Sequence, residues 1–311
     1  MDIKDKILIT GGTGMLGTFL SQELKKVGYQ NILAVGGKDC DLMDWQKTKA
    51  FFAHHMPDYV FHLAAAVFGI MGNMQQKGLS FFHNTLINSH VVEACRLNNV
   101  KKIVAMGSGA AYPYPSPELP LKEESIWFGL PHPAENSYGH SKRSMLAQLI
   151  AYKENYNIDY SFVISCNLYG PYDKFDTEFG HVTPSLVRKF YEAKQTNSHV
   201  STWGNGSAQR DFLYGEDAAN ALIHIMDNTS GAVNIGSGSV YAIKDIVNIL
   251  ADYTGLSDKV VWDTTKPNGQ DYRAYDLTRL NDTGFQPKYS IENGLHKTYD
   301  WYAKNYKHAR K

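Results

Sequence analysis

Short apolar runs and longer amphipathic segments alternate down the first half of this chain, and few architectures accommodate that order. Residues 6–10, 31–35, 59–63, 102–106 and 160–165 read as strands rich in Ile, Val, Leu and Phe. Between them, residues 15–27, 45–54, 82–98 and 136–156 carry helical spacing, with Leu16, Leu20 and Leu24 on one face of the first segment. A strand–helix–strand rhythm of this kind predicts an α/β fold built on a doubly wound parallel sheet. After residue 167 the rhythm breaks. Glycine, proline and aromatic residues crowd "NLYGPYDKFDTEFGHVTP" (167–184) and "STWGNGSAQRDFLYGED" (201–217), with helices expected over 184–194 and 243–253. Long loops in a compact protein are usually functional.

The turn after the first strand says what the sheet holds. In "ITGGTGMLG" (9–17), Gly11, Gly14 and Gly17 lie three apart between a strand and a helix, with Thr13, Met15 and Leu16 among them. Glycines at such a turn let the backbone approach a pyrophosphate, and the helix N-terminus offers unpaired N–H groups and a partial positive charge. The expectation is a Rossmann-type domain over 1–167, joined by about 213–236, where the chain crosses back near 216–226 and 232–235. A smaller α/β substrate domain would then span 168–212 and 237–311. At the tip of the second strand, "AVGGKDCDL" (34–42) presents Lys38 before its first acid, Asp39. A cation there suits a ribose 2′-phosphate, so NADP(H) is expected over NAD(H). Asp41 and Leu42 could reach the adenine edge. The small residues of "HLAAA" (62–66) let a cofactor lie against Leu63, Ala64 and Ala65.

"YGHSK" (138–142) sets Tyr138 and Lys142 four apart, on one helix face. An ammonium beside a phenol lowers a tyrosine pKa that is ordinarily about 10, which makes Tyr138 a usable proton donor or acceptor. Ser108, in "MGSGAAYP" (106–113), closes the fourth strand, whose carboxyl end faces the ligand crevice. Its hydroxyl is placed to hydrogen-bond a substrate carbonyl alongside Tyr138.

Other classes fall away on composition. Lys plus Arg equals Asp plus Glu, so no global field draws nucleic acid or an anionic membrane. No run approaches the apolar length of a membrane span. The N-terminus enters a strand without a signal-like segment. The three cysteines, Cys40, Cys95 and Cys166, have no metal-ligand spacing, so no metal is expected and a cytoplasmic protein with reduced thiols is.

The glycine motif, Ser108, Tyr138 and Lys142 together resemble an extended short-chain dehydrogenase/reductase. "NLYGPYDKF" (167–175), "GHVTPSLVRKF" (180–190), "WGNGSAQRDFLYGED" (203–217), "VNIGSG" (233–238) and "WDTTKPNGQ" (262–270) narrow this to a resemblance to the GDP-L-fucose synthase family, over nearly the whole chain. Those enzymes epimerise C3 and C5 of GDP-4-keto-6-deoxymannose and then reduce C4 with NADPH. The resemblance implies catalytic roles for Ser108, Tyr138, Lys142 and His181, with Tyr138, Lys142 and His181 also touching the cofactor. It implies a GDP-sugar subsite drawing on Ser108, Asn167, Lys189, Trp203, Arg210 and Arg273, and a homodimer formed through the helices over 82–98 and 136–156. One departure matters. The family's epimerisation pairs a histidine, matched by His181, with a cysteine two residues after the catalytic serine, and that position holds Ala110. A 4-ketoreductase without epimerase activity is therefore expected, with a bifunctional synthase, a 4-epimerase and a non-catalytic NADP-binding regulator as the alternatives. A 4,6-dehydratase would need an acid and a hydroxyl after Ser108, where Gly109, Ala110 and Ala111 stand. Phe68, in "AVFGIMGN" (66–73), is expected to reshape the sugar pocket, for example for a heptose.

Overall fold

The computed structural model describes residues 1–67, 74–178, 180–266 and 270–311. Strand β1 (Ile7–Thr10) lies between β2 (Ile32–Val35) and β3 (Tyr59–His62). With β4 (Lys102–Met106), β5 (Asp159–Ser165) and β9 (Gly231–Ile235) they form a six-stranded sheet in the order β2-β1-β3-β4-β5-β9. Every pairing in it is parallel. The chain steps outward from β1 to β2 and returns to the other side of β1 for β3. Ligands bind outside the strand carboxyl ends where the order reverses in this way.

Helices α1 (Met15–Lys26) and α6 (Gly215–Asn228) pack together on one face. On the other, α2 (Trp45–His55) packs on α3 (Lys77–Leu97), which packs on α4 (Asn136–Tyr156). Local chemistry sets their ends. Asp44 caps α2 by accepting the Lys47 N–H at 3.1 Å, and Met56 stops it in the left-handed region at φ 45°. Helix α3 starts five residues before the sequence pattern suggests, because Ser80, Asn84 and Asn88 line its buried face and hide its amphipathicity.

The second half builds a smaller layer. Strand β8 (Gln209–Tyr214) pairs in parallel with β6 (Asn167–Tyr169) and β12 (Tyr272–Arg273), and antiparallel with β10 (Val240–Ala242). A ribbon of β7 (Val200–Trp203) and β11 (Val260–Asp263) lies apart from that sheet. Helices α5 (Val182–Thr196), α7 (Ile243–Thr254) and α9 (Ile291–Asn305) pack on one another, and a short α8 (Thr278–Asn281) precedes the last of them. No helix among the described residues is long and apolar enough to cross a membrane.

Two polar nodes lock the layers. Lys102, 6% exposed in the middle of the fold, donates to the carbonyls of Met226 at 2.6 Å and Ile225 at 3.3 Å, and also to that of Thr229. Its ammonium thus satisfies the carbonyl end of α6 and meets the negative pole of that helix dipole. Lys102→Ala should cost about 2–3 kcal/mol, since it strands buried carbonyls. A urea midpoint unchanged from the parent would contradict this. At the sheet edge, Asn234 is fully buried and accepts the Tyr112 hydroxyl at 2.6 Å. Its amide donates to Leu121 O and Asp276 O, at 2.9 and 3.0 Å, so one side chain ties the segment after β4 to β9 and the second lobe.

Candidate active site

At the reversal point the glycine turn presses on the end of β3. Gly11 has φ +70°, and a Cβ there would lie 2.8 Å from Ala64 N. A Cβ on Gly17 would lie 2.5 Å from Gly11 O, so the turn sits directly on the helix it opens. Gly14 begins α1 without a side-chain cap and the first turn carries no acid, which leaves N–H groups and positive dipole facing outward. A cavity of about 560 Å³ opens there. Gly11, Thr13, Gly14, Asp41, Leu42, Leu63, Ala64, Ala65 and His181 all line it. Met15 and Leu16 instead pack against the core. Asp39 accepts the Gly36 N–H at 2.8 Å and is committed to its own turn, while Lys38 stands exposed beside it, outside the cavity lining.

Behind this wall runs a buried polar relay. Thr10 Oγ1 meets His62 Nδ1 at 2.8 Å, His62 Nε2 meets Asn88 Oδ1 at 3.1 Å, and Asn88 Nδ2 donates to Ser141 O at 3.4 Å. Burial, and then the nearby Lys142, push the His62 pKa down to about 3. The imidazole is therefore neutral and structural. Asn84 clamps the segment after β3 by accepting from Ala66 N and donating to Ala66 O, at 3.0 and 2.9 Å. The relay ends one residue before Lys142 and so fixes α4 against the sheet.

Ser108 leaves β4 in an extended conformation, and its Oγ accepts the Ala110 N–H at 3.2 Å, opening a 3₁₀ turn over Gly109–Ala111. A Cβ on Gly139 would lie 2.4 Å from Ala110 O, so α4 packs directly on that turn. This close approach joins the segment carrying Ser108 to the helix carrying Tyr138 and Lys142. Lys142 is 1% exposed, donates to Met106 O at 2.8 Å, and lies 5.6 Å from the centre of the Tyr138 ring. Burial lowers its pKa to about 7. The expectation that Lys142 lowers the Tyr138 pKa does not hold for the chain by itself. Burial of the phenol, and then the Glu135 carboxylate, raise it, and burial separately lowers the pKa of Lys142.

The second lobe gathers the remaining candidates. Lys189 Nζ donates to Ser201 O at 3.0 Å and lies 5.8 Å from the Trp203 ring centre, with Lys266 at 5.8 Å from the same ring. An indole flanked by two ammonium groups suits a stacked base. Arg210 and Arg273 stand opposite each other on β8 and β12, and Arg273 pairs with Glu135 at 3.5 Å. Asn167 is half-buried on β6, opposite Phe212. His181 sits exposed at the start of α5, on the cavity wall with Asp173, Lys174 and Arg310. Phe68 lies outside the described residues.

Sequence reasoning missed Asn84, Asn88, Glu135, Asp173, Lys266 and Arg310. Asp173 is buried with Oδ2 lacking a hydrogen-bond partner, and burial raises its pKa. Only Glu135 carried a signal, standing one turn ahead of Tyr138.

A family model described as the NAD dependent epimerase/dehydratase family matches residues 7–236. The chain is 34% identical over 310 residues to a probable GDP-L-fucose synthase of Oryza sativa subsp. japonica, covering 98% of this chain and 94% of the relative. A GDP-mannoheptose C4 reductase from Campylobacter jejuni with NADP bound superposes with a TM-score of 0.87 at 29% identity, over 97% of this chain and 99% of that one. A GDP-L-fucose synthetase from Naegleria fowleri bound to NADP superposes at 0.92 with 30% identity, over 100% and 98% of the two chains.

Proposed function

The chain belongs to the NAD dependent epimerase/dehydratase family, and from that premise we propose that it is an NADPH-dependent C4 ketoreductase of a GDP-linked 4-keto sugar, a 6-deoxyhexose or a heptose, without C3/C5 epimerase activity. The observation that carries the reading is the pairing of a Tyr138–Lys142 helix with a strand-end Ser108, beside an Ala110 that has no proton to give.

The glycine turn, the free end of α1 and the 560 Å³ cavity fit a dinucleotide. The commitment of Asp39 to Gly36, with Lys38 exposed alongside, favours the 2′-phosphorylated form. Both solved relatives named above carry NADP, which supports the same choice. When bound, the nicotinamide supplies the hydride. Tyr138 protonates the alkoxide that develops at C4, Ser108 Oγ orients the carbonyl, and Lys142 holds the ribose and favours the phenolate left behind. The Lys189–Trp203 pair would take the guanine and Arg210 with Arg273 the diphosphate, bidentately.

Inversion at C3 or C5 needs a base on one face and an acid on the other. His181 offers one group. The thiols of Cys40, Cys95 and Cys166 are all buried, and burial raises the pKa of each, so none is a ready proton carrier. His181 then serves as a hydrogen-bond donor to the sugar.

The test is incubation with GDP-4-keto-6-deoxymannose and NADPH in deuterated water, with products read by NMR and mass spectrometry. Reduction with no deuterium at C3 or C5 is expected. Deuterium at those carbons in a fucose-configured product would establish the bifunctional synthase instead. If the hexose is not reduced, a GDP-4-keto heptose is the substrate to supply next, and failure on both would end the reductase reading.

A further inference from the structure

Three charged side chains meet where the second lobe approaches the start of α4. Arg273 on β12 and Arg210 on β8 are neighbours because the parallel register pairs them residue for residue. Arg273 is 9% exposed. Arg210 donates to the carbonyls of Gln209 and Gln270, at 2.6 and 2.5 Å. Those neutral acceptors fix the guanidinium without cancelling its charge. Among the described residues Arg210 has no ion-pair partner within 4 Å, and Arg273 has Glu135 at 3.5 Å. Burial, and then Arg273, push the Arg210 pKa down to about 10, as expected of like charges held together. The other groups that face the pair are the buried Tyr275 phenol, beside Arg273, and the exposed Asp271. Among the described residues the two guanidiniums thus have one carboxylate within ion-pair distance, Glu135, with Asp271 farther off.

Glu135 is not an arbitrary partner. It occupies the N-cap of α4, and its carbonyl accepts the Gly139 N–H at 2.9 Å. It stands one turn before Tyr138, and its charge is felt at that phenol. Lys142 Nζ also lies near Tyr138, 5.6 Å from the centre of its ring. The carboxylate that quiets the arginine pair is therefore attached to the proton donor's own helix.

We propose that Glu135 is a positioning residue: it holds the arginine pair in the free protein and yields it to the substrate's diphosphate, so that filling this subsite is transmitted to Tyr138. The inference rests on the nucleotide-sugar reading above. In the free state Glu135 competes with a diphosphate for Arg273 and keeps a negative charge near the phenol. In the complex the diphosphate takes both arginines, and Glu135 turns away from the site. Loading the nucleotide thereby sharpens the acid that the reaction needs.

GDP alone, titrated by calorimetry into the full chain, tests the competition. Glu135→Gln and Glu135→Ala should each bind GDP about three- to tenfold more tightly than the parent, the range expected when a long, mostly buried ion pair at 3.5 Å no longer has to be broken. Equal or weaker binding by both variants overturns the proposal. The pH profiles test the transmission. The basic limb of kcat, which reports the complex, should fall at lower pH than that of kcat/KM, which reports the free protein. In Glu135→Gln the two limbs should coincide. A purely structural residue would leave that split in place, and a split retained in the variant overturns the idea. A parent that binds no GDP removes the nucleotide reading and this inference together, whereas a parent that binds GDP with unaltered variants removes the inference alone.

Discussion

Tyr138→Phe should lower turnover of a GDP-4-keto sugar by about 10²–10⁴-fold, the usual contribution of a positioned proton donor. The change removes one oxygen from a ring whose centre lies 5.6 Å from Lys142 Nζ. The glycine turn, the end of β3 and the cavity wall are untouched. Dinucleotide affinity, read by fluorescence quenching of NADPH, should therefore persist while kcat collapses. Near-normal turnover would remove Tyr138 from the chemistry. Loss of both activity and cofactor binding would mean that the phenol supports the fold of the site instead.

Lys142→Met should have the opposite signature on stability. A lysine whose folded pKa is about 7, against 10.5 for the ordinary side chain, must give up a proton to be buried as it is. Folding then grows less favourable as pH falls from about 10 toward 7, and below 7 the full penalty stands. Met removes that penalty and retains the volume, at the cost of one hydrogen bond to Met106 O. The ligand-free variant should be more stable than its parent by several kcal/mol at pH 6, with the gap closing toward pH 10, while turnover falls with the loss of the ammonium. Denaturant midpoints at the two pH values decide it. A variant less stable than its parent at pH 6 would mean that the amine's hydrogen bond outweighs its desolvation.

The parts of the fold that were legible in sequence are those whose buried faces are apolar. The strands of the main sheet and α1 announce themselves this way, as do α6 and β9 on their return to it. The start of α3 does not, because Ser80, Asn84 and Asn88 occupy its inner face and hold the chain after β3 and His62 rather than filling space. The site divides similarly. Gly11, Ser108, Tyr138 and Lys142 belong to short spacings whose chemistry needs those residue types, so one stretch of chain makes each a candidate. Glu135 with Arg273, and Lys266 with Trp203, are partners across long sequence separations and have no local pattern. The direction of the Tyr138 shift has no local signal either, because adjacency on a helix says nothing of desolvation.

The Lys102 node also bears on the order in which the chain can be completed during synthesis. Strands β1 to β5 are translated in succession, yet the far edge of β5 has no neighbour until residues 231–235 have left the ribosome. Lys102, in the strand beside β5, waits for the same stretch, since its acceptors are the carbonyls of Ile225, Met226 and Thr229. Nearly the whole front half must therefore carry an open apolar edge, and a Lys102 with only the Asp159 carboxylate at 3.7 Å beside it, while β6, α5, β7 and β8 emerge. The first part of the second lobe, β6 through β8, is made before the main sheet is able to close, and the rest follows it.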